Sequence, residues 1–343
     1  MHIARGGTVK RLSSLFCAGI LLFAGDAKAT DQNKQTVSIL FAGDIVLDGL
    51  PGEEVKKGKD PFSAFSSLFS NADIRVANLE CVVATTGVAA DKNFTFRAHP
   101  RTLEMLKRHF DAVSIANNHS GDFGRMAFKE MLGLLDQQKI GRFGGGYNLR
   151  EAHTPLIIER KGLRIALLGY DEFMPRSFEA DVDAAGVAWS EDEQVVSDIK
   201  VARLHYKADV VIPFMHWGWE NEMLASDRQR QLARKMIDAG ADAVIGGHPH
   251  VVQDTEQYRG KPIIYSIGNF MMDALDNDAQ TKGWVVRLIL THDGVQSWDT
   301  RLAKIDPRGI PTPVLDVKTP CWDKFDNKIS TCKNQEINIE KTN

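Results

Sequence analysis

Five apolar runs in this chain end the same way, and that repetition constrains the fold more than any other feature. Val37–Leu40 leads into Phe41-Ala42-Gly43-Asp44, and Asp73-Ile74 into Val76-Ala77-Asn78-Leu79-Glu80. Ser114-Ile115-Ala116 leads into Asn117-Asn118-His119, and Val210–Met215 into His216-Trp217-Gly218. Ala243-Val244-Ile245 leads into Gly246-Gly247-His248-Pro249-His250. Each run reads as a buried strand that delivers Asp, Glu, Asn or His where the strand should stop. In an α/β sheet the ends of neighbouring strands form one rim, so residues far apart in sequence converge there. Carboxylate, amide and imidazole groups together suit divalent Mn, Fe, Zn or Mg. Any one cluster alone reads as a polar strand end or a helix cap; five together mark a metal or catalytic site.

The segments between these runs fit an α/β core. Leu103–Phe110 and Phe128–Gln138 read as helices, the second stopped at Gly141, and Gln229–Ala239 is amphipathic and stopped by Gly240. Leu163–Leu168, Pro262–Ser266 and Trp284–Leu290 read as further strands, with a hairpin turn at Thr291–Val295 that takes up His292. At 343 residues, 43% hydrophobic and 25% charged, the chain can bury a sizeable core. Its formal net charge of -3 gives no footprint for nucleic acid or an anionic membrane.

Residues 1–29 read as a signal peptide: Arg5, Lys10 and Arg11, then apolar Leu15–Gly25, then Ala27-Lys28-Ala29, with Thr30 as the mature start. The apolar run falls short of the roughly 20 residues of a spanning helix, and an uncleaved anchor is the alternative. Export to a periplasmic or other extracytoplasmic compartment permits disulfides. Cys321 and Cys332 flank a short polar loop and fit one, while Cys81 reads as a small buried residue beside Glu80. From 306 to 343 the composition shifts to Pro, Thr, Asn and Lys, a tail after a main domain over 30–305.

The motifs GDIVLDG, ANLECVV, FRAHP, SIANNHSGDFG, MHWGWE, GGHPHVVQ and IIYSIGNF, in this order from Val37 to Phe270, resemble those of the CapA family of poly-gamma-glutamate capsule-synthesis proteins. That family is a variant of the calcineurin-like metallophosphoesterase fold. The resemblance therefore implies a sandwich of two mixed sheets flanked by helices, with one or two divalent ions at the strand ends. Carried over residue by residue, it gives Glu80, Asn118, His216 and His248 to one ion, and Asp44, Glu80 and His250 to the other. The second set is one ligand short, because apolar Val46 stands where the parent fold has a histidine, and Glu80 replaces a bridging Asp.

The resemblance also places His119 where the parent fold has its acid histidine, able to protonate a leaving oxygen. Asp122 is its expected partner, or else caps the following turn. Arg97 offers a bidentate anion contact or an ordinary ion pair. Asn269 lines the rim or satisfies buried backbone, and Trp217 forms a substrate wall or packs in the core. Glu220 and Glu222 would repel anions unless they serve an amine or the metal shell.

Three functional readings follow from the resemblance. The first is synthesis, export or retention of an anionic capsule polymer, with a membrane-bound synthase or export complex as partner. The second is a periplasmic metal-dependent hydrolase, a phosphoesterase, unconnected to capsule. The third is a non-catalytic, metal-stabilised subunit of a synthase. Function belongs to the site rather than to the fold, so the motifs do not choose among them.

Overall fold

The computed structural model describes residues 35–173, 176–326 and 328–333. The expected signal peptide, its cleavage site and Cys17 lie outside these residues.

The strand Val37–Ile45 organises the molecule. On one side it runs parallel to Ile74–Leu79, which is followed by Ala112–Ser114 and Gly141–Phe143, all parallel. On the other side it is antiparallel to Lys282–Thr291, which forms a long hairpin with Gly294–Ile305. A second, six-stranded sheet places Val210–His216 between Leu163–Asp171 and Val244–Gly247, all three parallel. Lys261–Ile264 continues it in parallel, and antiparallel strands close both edges.

Alternation along the strands sorts the side chains into three buried layers. Ile39, Phe41 and Val76 of the first sheet meet Ile165, Leu167, Ile212 and Ile245 of the second. On the far face of the first sheet, Leu40, Ala77 and Val113 pack against Leu103 and Leu106 of helix Thr102–His109 and Phe128, Leu132 and Leu135 of helix Gly124–Gln138. On the far face of the second, Ala166, Val211 and Val244 pack against helices Asp192–Leu204 and Asp227–Ala239. The result is the expected sandwich of two mixed sheets flanked by helices.

Two elements differ from expectation. The helix expected from Phe128 begins at Gly124, because its first turn carries exposed Met126, which hides the apolar period. The segment from 306 to 343, read as a stapled tail, extends the first sheet with its described strands. Lys318–Asp323 pairs with the hairpin strand Gly294–Ile305 and with Ser330–Lys333, and Cys321 is bonded to Cys332. A twelve-residue strand presents a long edge, and pairing that edge satisfies its backbone groups.

The parallel strands of both sheets point their carboxyl ends to one rim. There the two sheets touch: the His248 backbone N–H donates to Asp44 Oδ2 at 3.2 Å, across 204 residues of chain.

Candidate metal centre

Each of the five runs delivers its polar residue to this rim, and the elements explain why. Asp44 sits one residue before its strand ends, and Glu80 directly follows Ile74–Leu79. His216 is the last residue of Val210–His216, while His248 and His250 follow Val244–Gly247. The last two have positive φ, 90° and 58°, a left-handed backbone that ordinary residues rarely adopt. Such strain persists where surrounding structure enforces it, typically at functional sites. Glycine at 247 leaves room for the Asp44 carboxylate: a Cβ there would lie 2.8 Å from Asp44 Oδ1.

Two three-residue groups converge, Glu80 with His216 and His248, and Asp44 with Glu80 and His250. All five residues are buried. His216 Nε2 lies 2.8 Å from Asn118 Oδ1, 3.1 Å from His248 Nδ1 and 3.3 Å from Glu80 Oε1. Adjacent ligands of one ion at metal–ligand distances of about 2.1 Å stand roughly 3 Å apart, which is this spacing. In the other group His250 Nδ1 lies 3.7 Å from Asp44 Oδ2, and His250 Nε2 lies 3.8 Å from Glu80 Oε1. That group has three donors, and Val46 is buried among apolar residues without adding a fourth.

Glu80 provides the test of fit. It is fully buried, and neither carboxylate oxygen has a hydrogen-bond partner among the described residues. A buried, unpaired carboxylate is costly unless a cation meets it. Burial, and then the neighbouring Asp44, pushes Glu80 well above the usual carboxylate range. Burial also raises Asp44, against the opposing pull of His250 and Asn78. Burial holds His216 and His248 well below the usual histidine range, so both rings are neutral, as metal ligands must be. The donor set fits one divalent ion well and a second with fewer protein ligands.

The site also rests on residues the sequence did not single out. Asn78 Nδ2 donates to Asp44 Oδ1 at 2.9 Å and faces His216 Nδ1 at 3.2 Å. This leaves His216 Nε2 as the atom aimed into the first group. Asn117 in turn holds Asn78. Both asparagines lay inside the runs that drew attention to the rim, but nothing in the sequence separated scaffold from ligand.

Beside the ligands opens a cleft of about 560 Å³, into which Asn118, His119, Asp122 and Asp171 face. His119 Nδ1 is 2.8 Å from Asp122 Oδ2, which also accepts from the Phe96 N–H at 2.7 Å. Asp122 is therefore a partner of His119. Lys92 forms an ion pair with Asp122 and donates to the Asn118 carbonyl at 3.0 Å, a role without any sequence signal. Burial lowers His119 against the raising effect of Asp122, so the resting ring is neutral, with Nε2 unpartnered among the described residues. Asp171 ends the strand Leu163–Asp171, and burial pushes its carboxyl up to about 7. It obeys the same rule of an apolar run delivering a carboxylate, but it lies beyond the run Leu163–Leu168 that reads as the strand in the sequence.

Three residues offered for a substrate surface have their polar groups engaged within the protein. Trp217 is fully buried on the helix side of the second sheet, and its Nε1 donates to the Tyr265 carbonyl at 2.8 Å. It follows the last strand residue, His216, and its indole packs on the helix side, away from the rim. The guanidinium of Arg97 is taken up by the Thr86 and Gly87 carbonyls and lies 4.3 Å over the Phe123 ring. Asn269 Oδ1 lies 2.8 Å from His250 Nδ1 while its Nδ2 donates to the His250 and Gln280 carbonyls. It orients His250, turning Nε2 toward Glu80.

A family model described as bacterial capsule synthesis protein PGA_cap matches residues 38–274. The chain is 35% identical over 262 residues to the PGA biosynthesis protein CapA of Bacillus subtilis (strain 168), covering 74% of this chain and 68% of that one. It is 28% identical over 346 residues to the capsule biosynthesis protein CapA of Bacillus anthracis, covering 92% and 82%. Among solved structures it is similar to the NAD nucleotidase of Haemophilus influenzae at 12% identity and a TM-score of 0.43, covering 82% of this chain and 54% of that one. That likeness is too distant to bear on function.

Proposed function

This chain belongs to the bacterial capsule synthesis protein family PGA_cap, and from that premise we propose that it is an exported protein acting on a γ-glutamyl capsule polymer, or on its carrier, through a divalent-metal site. Glu80 carries this reading: a fully buried carboxylate with two unpartnered oxygens, ringed by His216, His248, His250 and Asp44. Asp44, Glu80, Asn118, His216, His248 and His250 would hold the metal, which when bound supplies Lewis-acid polarisation of a substrate oxygen. His119, held at Nδ1 by Asp122, presents Nε2 to the cleft, where it takes or returns a proton. Phe96, 4.7 Å from the His119 ring, and Lys92, on Asp122, keep that pair in place. A membrane-bound synthase or export complex is the partner that this reading implies.

The geometry favours catalysis over a purely structural metal. A structural site has no need of a neutral imidazole oriented by a carboxylate at the edge of a cleft. Hydrolysis of a phosphoester unconnected to capsule uses the same groups and is the second reading.

Metal content of the purified chain, wild type beside His248→Ala, tests the proposal, together with a screen of γ-glutamyl oligomers and phosphoesters. One or two ions in the wild type, lost in the variant, with turnover of a glutamyl substrate, is the expected result. Turnover confined to phosphoesters would replace the capsule reading with the second. A chain that takes up no Mn, Fe or Zn on reconstitution would sink both.

A further inference from the structure

The cleft beside the metal centre has an unusual charge balance. Asp91, Asp122, Asp171 and Glu220 line it, against a single lysine, Lys92. Lys92 is already committed to Asp122 and the Asn118 carbonyl. Among the described residues, no cationic side chain pairs with Asp91, Asp171 or Glu220. Asp91 and Glu220 are exposed at the mouth, but Asp171 is only 4% exposed. Its Oδ1 accepts the Phe173 N–H at 3.1 Å, and no side chain donates to it. Three aromatic residues, Phe94, Phe173 and Phe178, also line it. The Phe173 ring lies 4.0 Å from that of His248, on the border between the cleft and the metal ligands.

A buried carboxylate short of a cation, flanked by aromatic faces, is the chemistry that receives an ammonium group. We propose that this cleft carries a subsite for a primary ammonium group, with Asp171 as its anchor and Glu220 and Asp91 at its mouth, and that it takes the free amino end of a γ-glutamyl chain. The identity of the chain rests on the capsule reading above; the ammonium subsite does not. Interior γ-glutamyl units carry an α-carboxylate and no ammonium, so three unpaired acids repel them. The amino-terminal unit alone combines an ammonium with oxygens able to face the metal ligands. The site thus reads chain ends and passes over chain interiors.

The test is calorimetric titration of the Mn-loaded full chain with two matched pairs. One pair is a γ-glutamyl oligomer with a free or an acetylated amino end; the other is phosphoethanolamine and ethyl phosphate. The amine form of each pair should bind at least about tenfold more tightly, with the advantage lost in Asp171→Asn while metal content is kept. If that variant fails to fold, Glu220→Gln, at an exposed position, should reduce the advantage about threefold. Equal affinities within both pairs, binding of neither pair, or a preference that survives in the variant would overturn the subsite. An Asp171-dependent preference for phosphoethanolamine, with neither oligomer binding, would keep the subsite and remove the capsule polymer as its ligand.

Discussion

Asn117 donates through Nδ2 to the side-chain oxygen of Asn78 at 3.0 Å, and that contact decides which way the Asn78 amide faces. Asn117 has no freedom of its own. Its nitrogen also reaches the Leu79 carbonyl at 2.9 Å, and its oxygen receives the His119 N–H at 3.1 Å. Asn78 must therefore turn its NH₂ toward Asp44 and His216. Asn78→Asp keeps the shape but sets a third buried carboxylate against Asp44 and Glu80. We predict a stability loss of about 3 kcal/mol or more in the metal-free protein, measured by urea denaturation. A variant as stable as the wild type would show that the amide relay does not hold the rim.

Asp122 should separate chemistry from metal binding. Its Oδ2 holds His119, and it lies outside both groups of clustered ligands. Asp122→Asn removes the charge that steadies the ring. On any substrate the screen identifies, we expect turnover to drop about 10²–10⁴-fold with metal content unchanged. An unaltered rate would leave His119 as a polar strand-end cap and Asp122 as the cap of the following turn.

The pH dependence of stability follows from Asp171. Its carboxyl is raised from 3.8 to about 7, chiefly by burial, so the folded state binds that proton more tightly than the unfolded chain does. The penalty is absent below the unfolded value, grows as pH rises, and is complete above about 7. At roughly 1.4 kcal/mol per pH unit, Asp171→Asn should gain about 3 kcal/mol over wild type between pH 5 and pH 8. Paired denaturation curves in the presence of chelator measure it, and a difference that is flat with pH would contradict it.

Reduction of Cys321–Cys332 should act locally. The bond closes a short loop, with a sequence separation of 11, between the outermost strands of the first sheet. A closed loop of that size contributes about 3 kcal/mol by constraining the unfolded chain. Reduction should accelerate amide exchange over 318–333 while metal content stays constant. Loss of metal on reduction would mean that this edge and the rim are coupled.

Much of the site was legible because period and punctuation coincide at strand ends. Asp44, Glu80, Asn118, His216, His248 and His250 each follow an apolar run, and the structure brings all six together. What was illegible has a common cause. Lys92 lies in an irregular segment, where no period announces direction, and its partners arrive from 26 to 30 residues away. Arg97 and Trp217 have the right chemistry for a substrate surface, but which way a side chain turns is settled by packing that sequence alone does not show. Asn269 was placed correctly at the rim, and only its contact with His250 reveals its task.

The first sheet is completed out of chain order. Val37–Ile45 pairs along one edge with strands that follow soon after it, but along the other with Lys282–Thr291, which is made much later. Until that strand arrives, the backbone of Val37–Phe41 presents an apolar, unpaired edge, the kind that templates misassociation. His248 and His250 are also late, so the ligand set cannot form on a partial chain. During synthesis this fold spends most of its elongation as an adhesive fragment with no working site. That early edge stays open until the last third of the domain can close over it.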